Sequence, residues 1–228
     1  MNTALTAKEL ARYIDHTVLK ADAVRADIEK LCAEAKQFGF CSVCVNGARV
    51  AEARHFLEDT AVRVACTVGF PLGAMDADVK RYETEAAIDA GAQEIDVVLN
   101  VGLLREGQHA LVLRELRDVV EAADERPVKV ILENCLLSRE QKIAACQIVV
   151  ESGAQFVKTS TGFSTGGATV EDVKLMREIV GPDFGVKAAG GIRDFAMARA
   201  MIEAGATRLG TSAGVTIVQG IPAAGGAY

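Results

Sequence analysis

Lysines set inside apolar, β-prone runs are the first residues to explain. Lys158 stands in Phe156-Val157-Lys158-Thr159-Ser160-Thr161-Gly162-Phe163, and Lys187 in Gly185-Val186-Lys187-Ala188-Ala189-Gly190-Gly191. Lysine is among the least buried residue types. Desolvation and a neighbouring cation both lower an ammonium pKa, and a neutral amine can add to a carbonyl carbon and form a Schiff base. Asp96, in Glu94-Ile95-Asp96-Val97-Val98, supplies the matching general acid/base. The alternative is that each lysine pairs with a core carboxylate and fills space. Two such lysines at neighbouring strand ends, each followed by a glycine-containing turn, favour chemistry over filling.

The turns themselves are the second signal. They are Gly162-Phe163-Ser164-Thr165-Gly166-Gly167, Gly190-Gly191-Ile192-Arg193 and Gly210-Thr211-Ser212-Ala213-Gly214. Glycine lets backbone N–H groups approach an anion closely. Together the three turns suggest a phosphorylated small molecule, and tight loop geometry is the competing explanation. Asp15, Thr17, Cys44, Thr159 and Tyr228 are candidate pocket or proton-relay positions. Tyr228 ends a glycine-rich tail over 220–228 that is expected to be flexible.

These residues need elements to carry them. Strands are expected near 13–18, 41–46, 62–68, 94–99, 128–133, 155–159, 184–188 and 207–210, with helical patterns between them. Thr6…Glu9 and Ser138…Gln141 have capping-box spacing, which adds a helix before the first strand. Gly91, Gly153 and Gly205 each close a helical pattern and open a strand. Eight βα units of roughly 28 residues fit a single-domain (β/α)₈ barrel over 1–228; a doubly wound sheet is the other parallel α/β arrangement. Alternation along each strand puts Asp15, Thr17, Ser42, Cys44, Glu94, Asp96, Lys129, Glu133, Lys158 and Lys187 on the face opposite the aliphatics. In a barrel that face points inward, where branched aliphatics normally sit. His16 falls on the apolar side and reads as structural.

Composition narrows the function. The chain has 228 residues, 25 Lys+Arg against 31 Asp+Glu, and a net charge of −6. An acidic chain without a basic block is a poor nucleic-acid binder. No apolar stretch approaches the roughly 18 residues of a membrane span. The N-terminus shows no secretory signal pattern, and six cysteines lie in apolar runs, so a cytoplasmic location with reduced thiols is expected. Cys41 and Cys44 form a CxxC within a strand, which puts the sulfurs on opposite faces. Only His16, His55 and His109 exist, and none has ligand spacing to another. No metal is expected.

Taken together, these motifs resemble the deoxyribose-phosphate aldolase family. The resemblance is carried by Val157–Phe163, Glu94–Val98 and Val186–Arg193. It extends to Ile14-Asp15-His16-Thr17-Val18-Leu19-Lys20, Val43–Asn46 and Val68–Ala74, and so runs in order along nearly the whole chain. It implies a (β/α)₈ class I aldolase that reversibly cleaves 2-deoxy-D-ribose 5-phosphate to acetaldehyde and D-glyceraldehyde 3-phosphate. It implies Lys158 as the Schiff-base lysine, Lys187 and Asp96 as its partners, Gly162, Gly190, Gly191, Gly210 and Ser212 as phosphate-loop positions, no need of a cofactor, and self-association into a dimer or larger homo-oligomer. Some members carry lysine at the position of Phe163 and a second serine at that of Ala213, which leaves fewer side-chain donors for phosphate here. Two alternatives stay open: a Schiff-base aldolase for another phosphosugar, and a non-catalytic phosphosugar-binding barrel.

Overall fold

A capping box starts the chain's first helix. In the computed structural model, which describes residues 6–221, the Thr6 hydroxyl accepts the Glu9 N–H at 3.3 Å while the Glu9 carboxylate accepts the Thr6 N–H at 2.9 Å. Helix α1 (Ala7–Ala11) follows directly. Eight strands come next: β1 (Ile14–Thr17), β2 (Ser42–Asn46), β3 (Arg63–Val68), β4 (Glu94–Val98), β5 (Val128–Ile131), β6 (Phe156–Lys158), β7 (Gly185–Ala189) and β8 (Arg208–Thr211). All pair in parallel with their sequence neighbours, and β1 also pairs with β8, so the sheet closes into a barrel. The remaining helices are α2 (Arg25–Phe38), α3 (Val50–Phe56), α4 (Ala77–Asp89), α5 (Val101–Arg105), α6 (His109–Ala122), α7 (Arg139–Ser152), α8 (Val170–Val180), α9 (Phe195–Glu203) and α10 (Gly214–Val218).

The local signals are realised as expected. Ser138 caps α7 reciprocally with Gln141, and Gly153 ends it in the left-handed region at φ +87°. That conformation excludes most side chains but suits glycine.

Strand alternation divides the barrel into two chemically different surfaces. Val43, Val45, Val64, Ile95, Val97, Val130, Val157 and Val186 face outward into one continuous apolar core shared with the helices. Each such side chain contributes about 1.5–3 kcal/mol on burial. The inside holds a small apolar group, Leu19, Cys44 and Ala65 with Phe70 against them. Much of the remaining interior is charged: Asp15, Glu94, Asp96, Lys129, Lys158, Lys187 and Arg208 are all buried.

Glu133 departs from the expected pattern. The run 128–133 was expected to continue as strand, but β5 ends at Ile131, and Glu133 takes a left-handed conformation at φ +56° before a short 3₁₀ turn over Asn134–Leu136. Its carboxylate turns to the β6 loop instead. There it accepts the Thr161 N–H at 3.3 Å and a close hydrogen bond from the Thr161 hydroxyl. The outward reading of His16 holds: its Nε2 lies 2.7 Å from the Glu34 carboxylate of α2, and its ring packs on Phe40.

Candidate active site

Strand register brings the inward charges to common levels. Lys158 pairs with Lys187 across β6–β7, Asp96 with Lys129 across β4–β5, and Lys187 with Arg208 across β7–β8. The side chains then close a ring of six alternating charges. Asp15 Oδ2 lies 2.5 Å from Lys187 Nζ, which lies 2.6 Å from Asp96 Oδ2. Asp96 Oδ1 lies 2.7 Å from Lys129 Nζ, which lies 2.7 Å from Glu94. Glu94 lies 2.7 Å from Arg208, whose guanidinium returns to Asp15. Half-exposed Arg63 braces Glu94 from outside at 2.7 Å.

Lys158 hangs from this ring. Its Nζ lies 2.7 Å from Asp96 Oδ2, the oxygen that Lys187 also holds. Lys129, Lys187 and Arg208 each touch two carboxylates; Lys158 touches one. Three carboxylates balance three ring cations, so the fourth cation is the surplus charge in a low-dielectric interior.

The pKa directions follow this geometry. Burial opposes charge on Lys187, yet Asp15 and Asp96 overcome it and its pKa is raised. Lys129 and Arg208 are raised by the same balance, through Asp96 and Glu94 and through Asp15 and Glu94 respectively. For Lys158 the balance reverses. Burial lowers its pKa, the single carboxylate Asp96 does not fully compensate, and Lys187 lowers it further. Burial would raise Asp96, but Lys129, Lys158 and Lys187 hold it well below the usual carboxylate range. The ring keeps Asp96 ionised, and of the three lysines that meet Asp96, Lys158 is the one whose pKa is lowered.

Lys158 is also the ring-linked group with access to space. A cavity of about 530 Å³ opens at the strands' C-terminal ends and is lined by Lys158 with residues of the β1, β6, β7 and β8 loops. Asp96 and Lys187, at 0 % exposure, lie behind Lys158 and outside the lining. An amine at the floor of such a cavity, 2.7 Å from a carboxylate that also contacts a second ammonium, can attack a carbonyl and exchange protons with its neighbours.

Of the other candidate positions, Thr17, Gly162, Gly190, Gly210 and Ser212 line the cavity. Gly191 does not; it is exposed and lies outside the lining. Thr159 is displaced from its expected role because its hydroxyl bridges β6 to β7, donating to the Ala189 carbonyl and accepting its N–H, both at 3.1 Å. Cys44 is sealed under Leu19, and burial raises its thiol pKa. Asp15 lies inside the ring, not at the cavity surface. Tyr228 and the tail from 222 onward lie outside the described residues. Gly210 has a packing reason of its own. A Cβ there would lie 3.1 Å from Lys187 Cε and 3.0 Å from Ala189 Cβ, so the missing side chain leaves the Lys187 stem its path. Arg208, Lys129 and Glu94 complete the ring without having been singled out as site residues. Inward parity marked Lys129 and Glu94, and no local signal marked Arg208.

Comparison with known proteins places the chain in a family. The family model described as DeoC/LacD family aldolase matches residues 10–220. A deoxyribose-phosphate aldolase of Alkaliphilus oremlandii is 61% identical over 210 residues, covering 92% of this chain and 95% of that protein. One of Streptococcus pneumoniae is 58% identical over 212 residues, covering 93% and 96%. Among solved structures, the tetrameric deoxyribose phosphate aldolase of Aeropyrum pernix superimposes with a TM-score of 0.88 at 33% identity, covering 94% of this chain and 91% of that one. The chain belongs to the DeoC/LacD family of aldolases.

Proposed function

We propose that this single-domain barrel is a class I aldolase that reversibly cleaves 2-deoxy-D-ribose 5-phosphate to acetaldehyde and D-glyceraldehyde 3-phosphate through a Schiff base on Lys158. One observation carries the reading: the amine in surplus over the ion-pair ring is the one that reaches the cavity.

In the direction of synthesis, neutral Lys158 adds to acetaldehyde. The carbinolamine takes a proton and loses water, leaving an iminium. That cation withdraws electrons from the neighbouring carbon, so a methyl proton can leave to the Asp96 carboxylate or to a water beside it, and an enamine results; the Lys187 ammonium serves as a proton donor. The enamine carbon attacks the aldehyde of D-glyceraldehyde 3-phosphate, whose oxygen takes up a proton as the new carbon–carbon bond forms. Water then hydrolyses the iminium and returns the amine. Asp96 suits the transfers because it contacts Lys158 and Lys187 through one oxygen, so a proton passes between the lysines without leaving the interior. The protonated imine is the electron sink. Gly162, Gly190, Gly210 and Ser212 offer backbone and hydroxyl donors to the phosphate.

Borohydride reduction in the presence of acetaldehyde, followed by peptide mass mapping, tests the assignment. The expected result is an ethyl adduct on Lys158 and loss of both adduct and cleavage in Lys158→Leu. Full cleavage by Lys158→Leu would refute it, and absence of any adduct would favour a binding barrel. The same reading includes self-association, supported by the tetrameric relative, and a cytoplasmic location, supported by six free thiols. No helix among the described residues is long and apolar enough to cross a membrane.

A further inference from the structure

Among the described residues the cavity lining contains two charged side chains, both cationic: Lys158 at its floor and Lys20 at its mouth, and no carboxylate. Lys158 is committed to Asp96 and to covalent chemistry. Lys20 is exposed, and its ammonium has no partner among the described residues.

An exposed lysine is ordinary; a lysine whose backbone is fixed at the edge of a reaction cavity is not. The loop after β1 is tied down at three successive residues. The Val18 N–H donates to the Cys44 carbonyl at 3.1 Å, Asn46 Nδ2 donates to the Leu19 carbonyl at 3.2 Å, and the Ala23 N–H donates to the Lys20 carbonyl at 3.2 Å. The Leu19 side chain is buried below. The stem of Lys20 therefore starts from a set point while its end is free to swing. Closure of β1 onto β8 runs this loop along the same wall as Ser212.

A phosphate monoester entering this cavity brings up to two negative charges into an acidic protein of net charge −6. Glycine N–H groups and the Ser212 hydroxyl offer dipoles but no whole charge, and at the mouth Lys20 is the whole charge available. We infer that Lys20 ion-pairs with the phosphate of the phosphorylated substrate and sets the enzyme's preference for phosphorylated over unphosphorylated aldehydes. The inference rests on the aldolase reading of the same cavity.

The test compares wild type with Lys20→Met, Lys20→Arg and Lys20→Glu. The quantity read is the ratio of kcat/KM for 2-deoxyribose 5-phosphate to that for 2-deoxyribose. It should fall about tenfold in Lys20→Met, further in Lys20→Glu, and be largely kept in Lys20→Arg. The loss on the phosphorylated substrate should fall on KM, and inhibition by inorganic phosphate should weaken in parallel. Added salt should erode the wild-type preference more than that of Lys20→Met. An unchanged ratio together with unchanged phosphate inhibition in Lys20→Met overturns the inference. Acetaldehyde carries no phosphate, so borohydride trapping on Lys158 separates the two ideas. A trapped adduct with an unchanged ratio removes only the role of Lys20, whereas no adduct in wild type removes the aldolase reading itself.

Discussion

Replacing Lys187 by methionine should convert Lys158 from the surplus cation into a required one. Two nitrogens that sit 2.6 and 2.7 Å from the same Asp96 oxygen stand roughly 4–5 Å apart, where like charges at an effective permittivity near 20 repel by about 3–4 kcal/mol. Removing that repulsion raises the Lys158 pKa, with about a tenfold change in protonation for every 1.4 kcal/mol. While the pKa exceeds the assay pH, each unit costs a factor of about ten in neutral amine, so imine formation at neutral pH should fall about 10²- to 10³-fold. The defect should shrink tenfold per unit as the pH is raised toward the new pKa. The assay is the rate of borohydride-trapped imine on Lys158 with acetaldehyde, measured for both proteins over roughly pH 6–10, with circular dichroism to confirm the fold. If Lys187→Met is slowed by the same factor at every pH, with its acid limb unmoved, the electrostatic argument fails, and Lys187 serves only to carry protons.

Three further outcomes follow from the same geometry. Gly210→Ala places a methyl against Lys187 Cε and Ala189 Cβ; it should cost about 1–3 kcal/mol of stability, read by denaturant unfolding, and displace the pH–rate profile toward that of Lys187→Met. Away from the cavity, Lys80 is buried with its Nζ 2.6 Å from Glu115, and burial outweighs attraction in both, lowering the lysine pKa and raising the carboxyl. Lys80→Met alone should therefore lose about 3–5 kcal/mol, while Lys80→Met/Glu115→Leu should recover most of it. Acid should inactivate before it unfolds. Asp15, Glu94 and Asp96 are all lowered, so their stabilisation is complete above the ordinary carboxylate range and is lost only as the pH falls below about 4, where the unfolded chain binds protons first. Lys158 takes up its proton at higher pH, so activity should vanish reversibly while the circular dichroism is unchanged. Simultaneous loss of both signals would show that the amine and the ring titrate as one unit.

The barrel was largely legible because its signals are local. Eight β-prone runs, six of them with period-two alternation, became eight strands with ends shifted by at most a few residues, and the Thr6 and Ser138 capping boxes formed as spaced. Parity also told correctly which side of each strand Lys158, Lys187 and Asp96 occupy. It could not tell depth along the barrel axis, which depends on how the strands are staggered. That is why Cys44 proved sealed, Thr159 proved to be a strand bridge, and Gly191 fell outside the lining. The partners were harder still. Arg208 meets Asp15 and Glu94 from positions 193 and 114 residues away, and no local pattern encodes such a meeting. Lys20 ends the Ile14–Lys20 segment, but its place at the mouth comes from a loop tied by long-range hydrogen bonds to β2.

The two explanations first weighed for the interior lysines, filling by ion pairs and chemistry, describe different parts of one arrangement. A buried pair is weak evidence for stability, because desolvation consumes most of the attraction. Apolar side chains would fill this barrel as well, so stability alone does not call for the ring. What the ring supplies is a definite electrostatic environment at one point. Its six members are mutually satisfied, and Asp96 is held ionised by two of them without Lys158. The seventh group then sees a full carboxylate on one side, an ammonium behind that carboxylate, and an open cavity in front. Arginine at that position would stay charged at any working pH. Lysine, with one carboxylate instead of two, is the side chain whose protonation the local balance can reverse, and the cavity puts it where an aldehyde can arrive.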